Sequence, residues 1–238
     1  MRGVPGHTSP SQHEADLRDL LRRAPLIVGR ESELPDAGDF FTHDVAGVAL
    51  LVTRDAAGRL HAMLNVCSHR GTRLVYETRG TATSFVCRYH GWTYDLTGRL
   101  GRPGRVGLPP ALEQFMGDRA LTAIPCEARH GFVWALPTPR ATLDLAGALG
   151  PLDDRLAALE LGTYGVIAER TSETHAWNWK HVVDGLVVDD AGVPLPDRLF
   201  VPPNSVLVPG RGDGVVSHLE VFPRPVEESI VVHTRLAR

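Results

Sequence analysis

A chain of 238 residues with 43% hydrophobic and 22% charged residues has the balance of an ordinary globular protein, with room for one large or two small domains. Its formal net charge of −3 gives no electrostatic basis for binding nucleic acid or an anionic membrane surface. The longest strongly apolar run, residues 45–52, is far too short to span a bilayer; residues 1–7 lack the apolar core of a secretion signal, and the expected compartment is a reducing cytoplasm.

In chain order, residues 1–10 read as disordered. Residues 11–23 read as a helix, with Ser11 as cap, Glu14 three residues on, an apolar stripe of Leu17, Leu20 and Leu21, and Pro25 as its end. Residues 40–54 hold two strand-like stretches, residues 58–66 alternate like a strand, residues 84–86 form a short one, and residues 93–100 read as a hairpin turning at Gly98. Residues 102–110 are a Gly- and Pro-rich loop and residues 111–116 a short helix. Strands at 121–126 and 130–135 then close a first domain before the prolines at 137 and 139. Residues 143–161 carry helix-like leucines broken by Gly and Pro, residues 164–174 are strand-like, and the tail is strand-rich at 205–208, 215–222 and 230–236.

Two short motifs carry the chemistry. They are Cys67-Ser68-His69-Arg70-Gly71 and Cys87-Arg88-Tyr89-His90-Gly91-Trp92, a C-x-H and a C-x2-H separated by 17 residues. Cysteine is scarce, three in the chain, yet two of the three sit within three residues of a histidine. Two thiolates and two imidazoles are the ligand set of a Rieske [2Fe–2S] cluster, in which two cysteines hold one iron and two histidines the other. Zinc also accepts Cys2His2, but its ligands usually come as a cysteine pair followed by a histidine pair, so zinc is the runner-up. A buried Cys beside a satisfied His, twice by chance, is the bland alternative. Gly71 and Gly91 follow the histidines, where a ligand loop must turn tightly and can aim backbone N–H groups at cluster sulfurs. Cys126 reads as a small core or strand residue.

Residues 39–136 resemble the Rieske domain of the Rieske non-heme iron oxygenase α subunits. The resemblance rests on Asn65-Val66-Cys67-Ser68-His69-Arg70-Gly71, Cys87-Arg88-Tyr89-His90-Gly91-Trp92-Thr93-Tyr94, Gly98-Arg99-Leu100 and Gly131-Phe132-Val133-Trp134. It implies an α+β chain: a lead-in with a helix (1–38), a β-rich Rieske [2Fe–2S] domain (39–137), and a partial α+β catalytic-type domain with an antiparallel sheet (138–238). Respiratory Rieske proteins carry two further cysteines in a disulfide; those places are Thr72 and Tyr89 here, which argues for the oxygenase or ferredoxin type.

Asn178-Trp179-Lys180 and Val182-Val183-Asp184-Gly185 continue the resemblance into the second domain, where the family builds a mononuclear Fe(II) site from two histidines and a carboxylate. Counting from Asn178 puts the family's acidic residue at Asp189 and its two histidines near Gly192 and Asp197. No H-x4-H occurs after Asn178; His181, His218 and His233 are the later histidines. Residues 199–208 resemble a strand that normally lies well beyond the histidine pair, so residues 189–197 read as a junction where a segment is missing. An incomplete chain is the expected explanation, and a shortened homologue without oxygen activation the competing one. His175 and His181, six apart, do not share a helical face, whereas His218 and His233 could meet across a sheet.

The resemblance implies electrons from an NAD(P)H-dependent reductase, directly or through a ferredoxin, entering a cluster held by Cys67, His69, Cys87 and His90. It implies that His90 bonds across a subunit boundary to the neighbour's Asp189 in a homotrimer, and that Fe(II) inserts one or both oxygens of O2 into a small, mostly apolar or aromatic substrate, as a mono- or dioxygenase. The alternative is a Rieske electron-transfer protein without oxygenase activity. A non-catalytic partner of a longer homologous chain is the third.

Overall fold

The computed structural model describes residues 9–101, 119–189, 191–210, 214–224 and 228–238. The expected loop at 102–110 and helix at 111–116 lie outside the described residues. The chain divides into two compact units, one of residues 28–128 with 133–143, the other of residues 1–27, 129–132 and 144–238.

Fifteen strands are present among the described residues. They are β1 Leu26–Arg30, β2 Asp39–Val45, β3 Val48–Arg54, β4 Leu60–Leu64, β5 Arg79–Thr81, β6 Phe85–Val86, β7 Thr93–Tyr94, β8 Ala123–Ile124, β9 Cys126–Arg129, β10 Phe132–Ala135, β11 Val166–His175, β12 Leu199–Val201, β13 Ser205–Pro209, β14 Val215–Pro223 and β15 Ser229–Ala237. β1, outside the strands expected from the sequence, forms a three-stranded sheet in the order β1-β10-β9.

The first unit is built on a five-stranded sheet, order β5-β2-β3-β4-β8. β2 and β3 turn on Ala46 and Gly47, both at positive φ (52° and 72°), the conformation a two-residue hairpin needs to match strand twist. Leu51 pairs with Met63 in this sheet, and both are buried with Phe40, Leu74, Phe85, Tyr94 and Leu121. Phe40 meets Phe85 edge-on at 5.3 Å between ring centroids. The same core holds Cys67 and Cys87, so the two motif cysteines are packed from beneath by the apolar layer that makes the fold. β6 and β7 form a separate two-stranded hairpin, Phe85 opposite Tyr94 and Val86 opposite Thr93. The expected 93–100 hairpin is present: Tyr94 bridges Leu100, and Gly98 turns at φ 79°.

The second unit holds a five-stranded antiparallel sheet, order β11-β15-β14-β13-β12. The helix Trp179–Val187 lies on it through Trp179 and Val183, which pack on Leu219, Val221 and Val231. Asn178 caps that helix, its side-chain oxygen accepting from Lys180 N at 3.0 Å. The leucine-rich stretch becomes two helices, Leu145–Leu149 and Pro151–Ala158, parted by Gly150 at φ 50°.

The N-terminal helix departs from expectation in a physically informative way. Ser9, not Ser11, is the cap, accepting from Gln12 N at 3.1 Å, and after Pro10–Ala15 the chain passes into a π-helical stretch, Asp16–Leu21. The wider turn rotates the expected stripe: Leu21 is buried, Leu20 is 43% exposed, and Asp16 is carried inward to 2% exposure. There Asp16 accepts from Lys180 Nζ at 2.7 Å, Gln12 Nε2 at 2.8 Å and Trp179 Nε1 at 3.1 Å. Burial pushes its carboxyl toward the neutral form, but the hydrogen bonds from Lys180, Gln12 and Trp179 outweigh burial and hold it below the usual carboxylate range.

Candidate functional site: two cysteine–histidine loops

The two motif loops fold as the same six-residue turn. Cys67 N donates to Thr72 O at 2.7 Å and Gly71 N to Cys67 O at 3.0 Å; Cys87 N donates to Trp92 O at 2.7 Å and Gly91 N to Cys87 O at 2.9 Å. Gly71 and Gly91 sit at φ 71° and 73° in open space, so glycine is required for backbone conformation and not for room. The turns differ in where histidine stands: third in the first loop, fourth in the second. Asn65, fully buried, pins the base of the first loop by giving Nδ2 to Val75 O (2.7 Å) and taking Val75 N on Oδ1 (2.8 Å).

This places the four predicted residues together. The His69 and His90 rings meet at 4.5 Å between centroids with a 65° tilt. Cys67 and Cys87 are buried, at 1% and 2% exposure. His90 is exposed, whereas His69 is half-buried and its Nδ1 is shielded with no hydrogen-bond partner. Burial, followed by the charges of His90, Arg70 and Arg119, lowers the His69 pKa and favours the neutral imidazole, the form that binds metals. A buried, unsatisfied ring nitrogen costs free energy unless something binds it.

The donor set fits a two-iron cluster. Among the described residues no three His, Cys, Asp or Glu side chains are placed to hold one metal ion. A thiol pair and an imidazole pair is the donor set of a [2Fe–2S] centre.

Neighbours that sequence reading quoted without a role complete the site. Trp92 lies flat on His69, 4.6 Å between centroids at 8°, and Tyr89 leans on His90 at 4.0 Å and 34°. Ser68 donates its hydroxyl to Arg119 O at 2.7 Å, and Tyr94 Oη lies 2.9 Å from Ser68 Oγ and 3.2 Å from Cys67 Sγ; a thiolate that holds iron has no proton to give, so toward Sγ the single phenolic O–H is the donor. Burial, then the Cys67 hydrogen bond, pushes the Tyr94 phenol up to about 12, so it stays protonated at neutral pH. The available signal was the i, i+2 spacing of Trp92 and Tyr94, which puts both on one side of an extended chain.

The residues predicted for a mononuclear iron are not brought together. Asp189 is exposed and forms a turn: its Oδ1 accepts from Ala191 N and Val193 N, both at 2.9 Å, and its own N donates to Val193 O at 2.9 Å. Val188 bridges Pro194, and Gly192 and Asp197 stand at the two histidine places. His218 and His233 do not meet. His218 pairs with Thr234 and His233 with Leu219, so alternation sends the imidazoles to opposite faces of the sheet. His218 packs on Phe132 at 5.0 Å between ring centroids, and His233 Nε2 bonds Ser217 Oγ at 3.0 Å. The described residues do not fit a mononuclear iron.

Residues 24–110 match the Rieske [2Fe-2S] domain family. The glycine betaine monooxygenase oxygenase subunit of Chromohalobacter salexigens is 33% identical over 184 residues, 76% of this chain and 39% of that protein. The α subunit of biphenyl 2,3-dioxygenase from Rhodococcus jostii is 31% identical over 194 residues, 77% of this chain and 40% of that one. This chain is a homologue of the Rieske non-heme iron oxygenase α subunits. It spans about two fifths of the length of these α subunits, 39% and 40%. The β-rich Rieske domain followed by an α+β region with an antiparallel sheet is the α-subunit fold. The quaternary ammonium Rieske monooxygenase CntA superposes with a TM-score of 0.83 at 20% identity, over 97% of this chain and 73% of that one. Naphthalene 1,2-dioxygenase superposes with a TM-score of 0.71 at 17% identity, over 97% and 70%.

In a Rieske domain the Tyr94 hydrogen bond has a measurable consequence. A donor to a cluster cysteine favours the more negative, reduced state. Tyr94→Phe is expected to lower the midpoint potential by about 40 mV, the one-electron equivalent of about 1 kcal/mol, read by film voltammetry.

Proposed function

We propose that this chain is the electron-relay part of a Rieske oxygenase system. Cys67 and Cys87 hold one iron of a [2Fe–2S] cluster and His69 and His90 the other, and the cluster takes up and releases one electron at a time. The exposed His90 is the edge through which electrons pass, and an NAD(P)H-dependent reductase, with or without a ferredoxin between, supplies them in the cytoplasm. The observation that carries this reading is the pair of matched turns bringing two buried cysteines and two adjoining imidazoles, one with a buried, unsatisfied Nδ1, to one place.

Oxygen insertion into a small apolar or aromatic substrate, which homology to oxygenase subunits suggests, needs a mononuclear Fe(II) whose ligands the described residues do not supply. Gly192 and Asp197 at the histidine places, with Asp189 bound into its turn, favour a second reading: relay without oxygen activation by this chain itself. Head-to-tail assembly of a homotrimer or with a longer homologous chain belongs to the same proposal.

Iron and acid-labile sulfide per chain decide between the readings. Two irons and two sulfides, unchanged when Fe(II) is added back, are expected for relay alone. A third iron that survives gel filtration would restore a mononuclear site, and absence of sulfide would overturn the cluster.

A further inference from the structure

No disulfide joins the two ligand loops; Cys67, Cys87 and Cys126 are all free. What ties them together is the segment leaving the second loop. The Trp92 carbonyl closes its own loop by accepting from Cys87 N at 2.7 Å, while its indole lies flat on His69 of the other loop, 4.6 Å away at 8°. Two residues on, Tyr94 reaches Cys67 Sγ at 3.2 Å. One short stretch of chain therefore touches both candidate ligands of the first loop. The bracing runs one way only. Thr72 occupies in the first turn the place Trp92 holds in the second, and it has no ring to send across. Tyr89 leans on His90 of its own loop and is 61% exposed.

We propose that Trp92 is a positioning residue, a cross-brace that holds the His69 imidazole in ligating orientation against the second loop and thereby retains the cluster. An unrestrained imidazole rotates about two side-chain bonds, and that freedom must be given up each time the metal bond re-forms. A flat aromatic neighbour removes it beforehand. Half-buried Trp92 also covers one face of the ring that would otherwise admit water.

The inference rests on the cluster reading, and the experiment separates the two. Holoprotein is challenged with excess EDTA and loss of the visible absorbance is timed, alongside EPR of the dithionite-reduced form. Trp92→Met, which keeps apolar bulk but no ring, is expected to lose the cluster about threefold to tenfold faster and to broaden the EPR line, the range an aromatic pair contributes. Trp92→Phe should restore most of the difference, and Trp177→Leu, at an exposed aromatic outside the two loops, should behave as wild type. A merely structural role for Trp92 would lower the melting temperature yet leave the EPR line shape unmoved. Equal loss rates and line shapes in Trp92→Met and wild type overturn the brace. Wild-type protein without labile sulfide would instead overturn the cluster reading. Should the methionine variant not fold, Trp92→Leu against wild type decides: about threefold or more faster loss is expected, and equality sinks the proposal.

Discussion

Cys87→Ala is expected to abolish both the visible absorbance and the reduced-state EPR signal, and to leave the unit of residues 28–128 largely unfolded. Cys87 is 2% exposed and sits in the same core as Phe40, Leu51, Met63 and Tyr94, so its sulfur joins metal binding directly to the packing of the sheet. Binding energies on the order of 10 kcal/mol are typical of structural metal sites in small domains, comparable with the whole stability of an ordinary domain. Removing one of four ligands forfeits much of that term. Cys126→Ala is the matched control. Cys126 is half-buried on β9, burial pushes its thiol up to about 11, and it takes no part in the loops. Its variant should keep the full spectrum. A Cys87→Ala protein with a normal reduced-cluster signal would remove Cys87 from the ligand set.

The second large effect is expected at Asp16. Asp16→Ala leaves the Lys180 ammonium, 21% exposed, without its carboxylate, and removes the acceptor of the Trp179 indole. Breaking one partner out of a buried ion pair typically costs about 3–5 kcal/mol, and with Lys180 still partly wet the lower end applies, about 3 kcal/mol at neutral pH by urea or thermal unfolding. The pH dependence has a definite sign. The folded-state pKa of Asp16 lies below its unfolded value, which is about 3.9. Its contribution is therefore complete above about pH 4 and is lost as pH falls through the folded pKa. The gap between wild type and Asp16→Ala should be constant from pH 5 to 7 and narrow at more acidic pH; a gap that widens on acidification would contradict the ion-pair account. The cluster spectrum should be unaffected, since Asp16 and the loops lie in different units.

Much of this architecture was legible beforehand because local rules and packing agree. The strands β2, β3, β13, β14 and β15 alternate or run apolar as buried strands do, and the cysteine–histidine spacing announces a loop pair. The failures have physical reasons. Ser9 displaced Ser11 as the cap because Pro10 sets φ for the first helical position. The Asp16 turn was hidden because a π-helix breaks the 3.6 period on which the Leu17, Leu20, Leu21 stripe was drawn. His218 and His233 were thought able to meet, yet strand register, invisible in either segment alone, sends them to opposite faces. Trp92 and Tyr94 were seen as motif letters. That each reaches across to the other loop is a tertiary fact that neither motif shows by itself.

The ten residues of β11 form one edge of the second unit's sheet, and eight of them are exposed. An edge strand of that length is a template on which another extended segment can add. β11 answers with composition: Glu169, Arg170 and Glu173 are spaced among Thr171, Ser172 and Thr174, where β13 to β15 carry runs of valine and leucine. Resistance to strand addition is thereby delegated to a few charges that lie outside the unit carrying the cysteine–histidine loops. Exchanging those charges for valines is expected to leave the fold of the loop-bearing unit unchanged while raising the aggregation rate, read by light scattering.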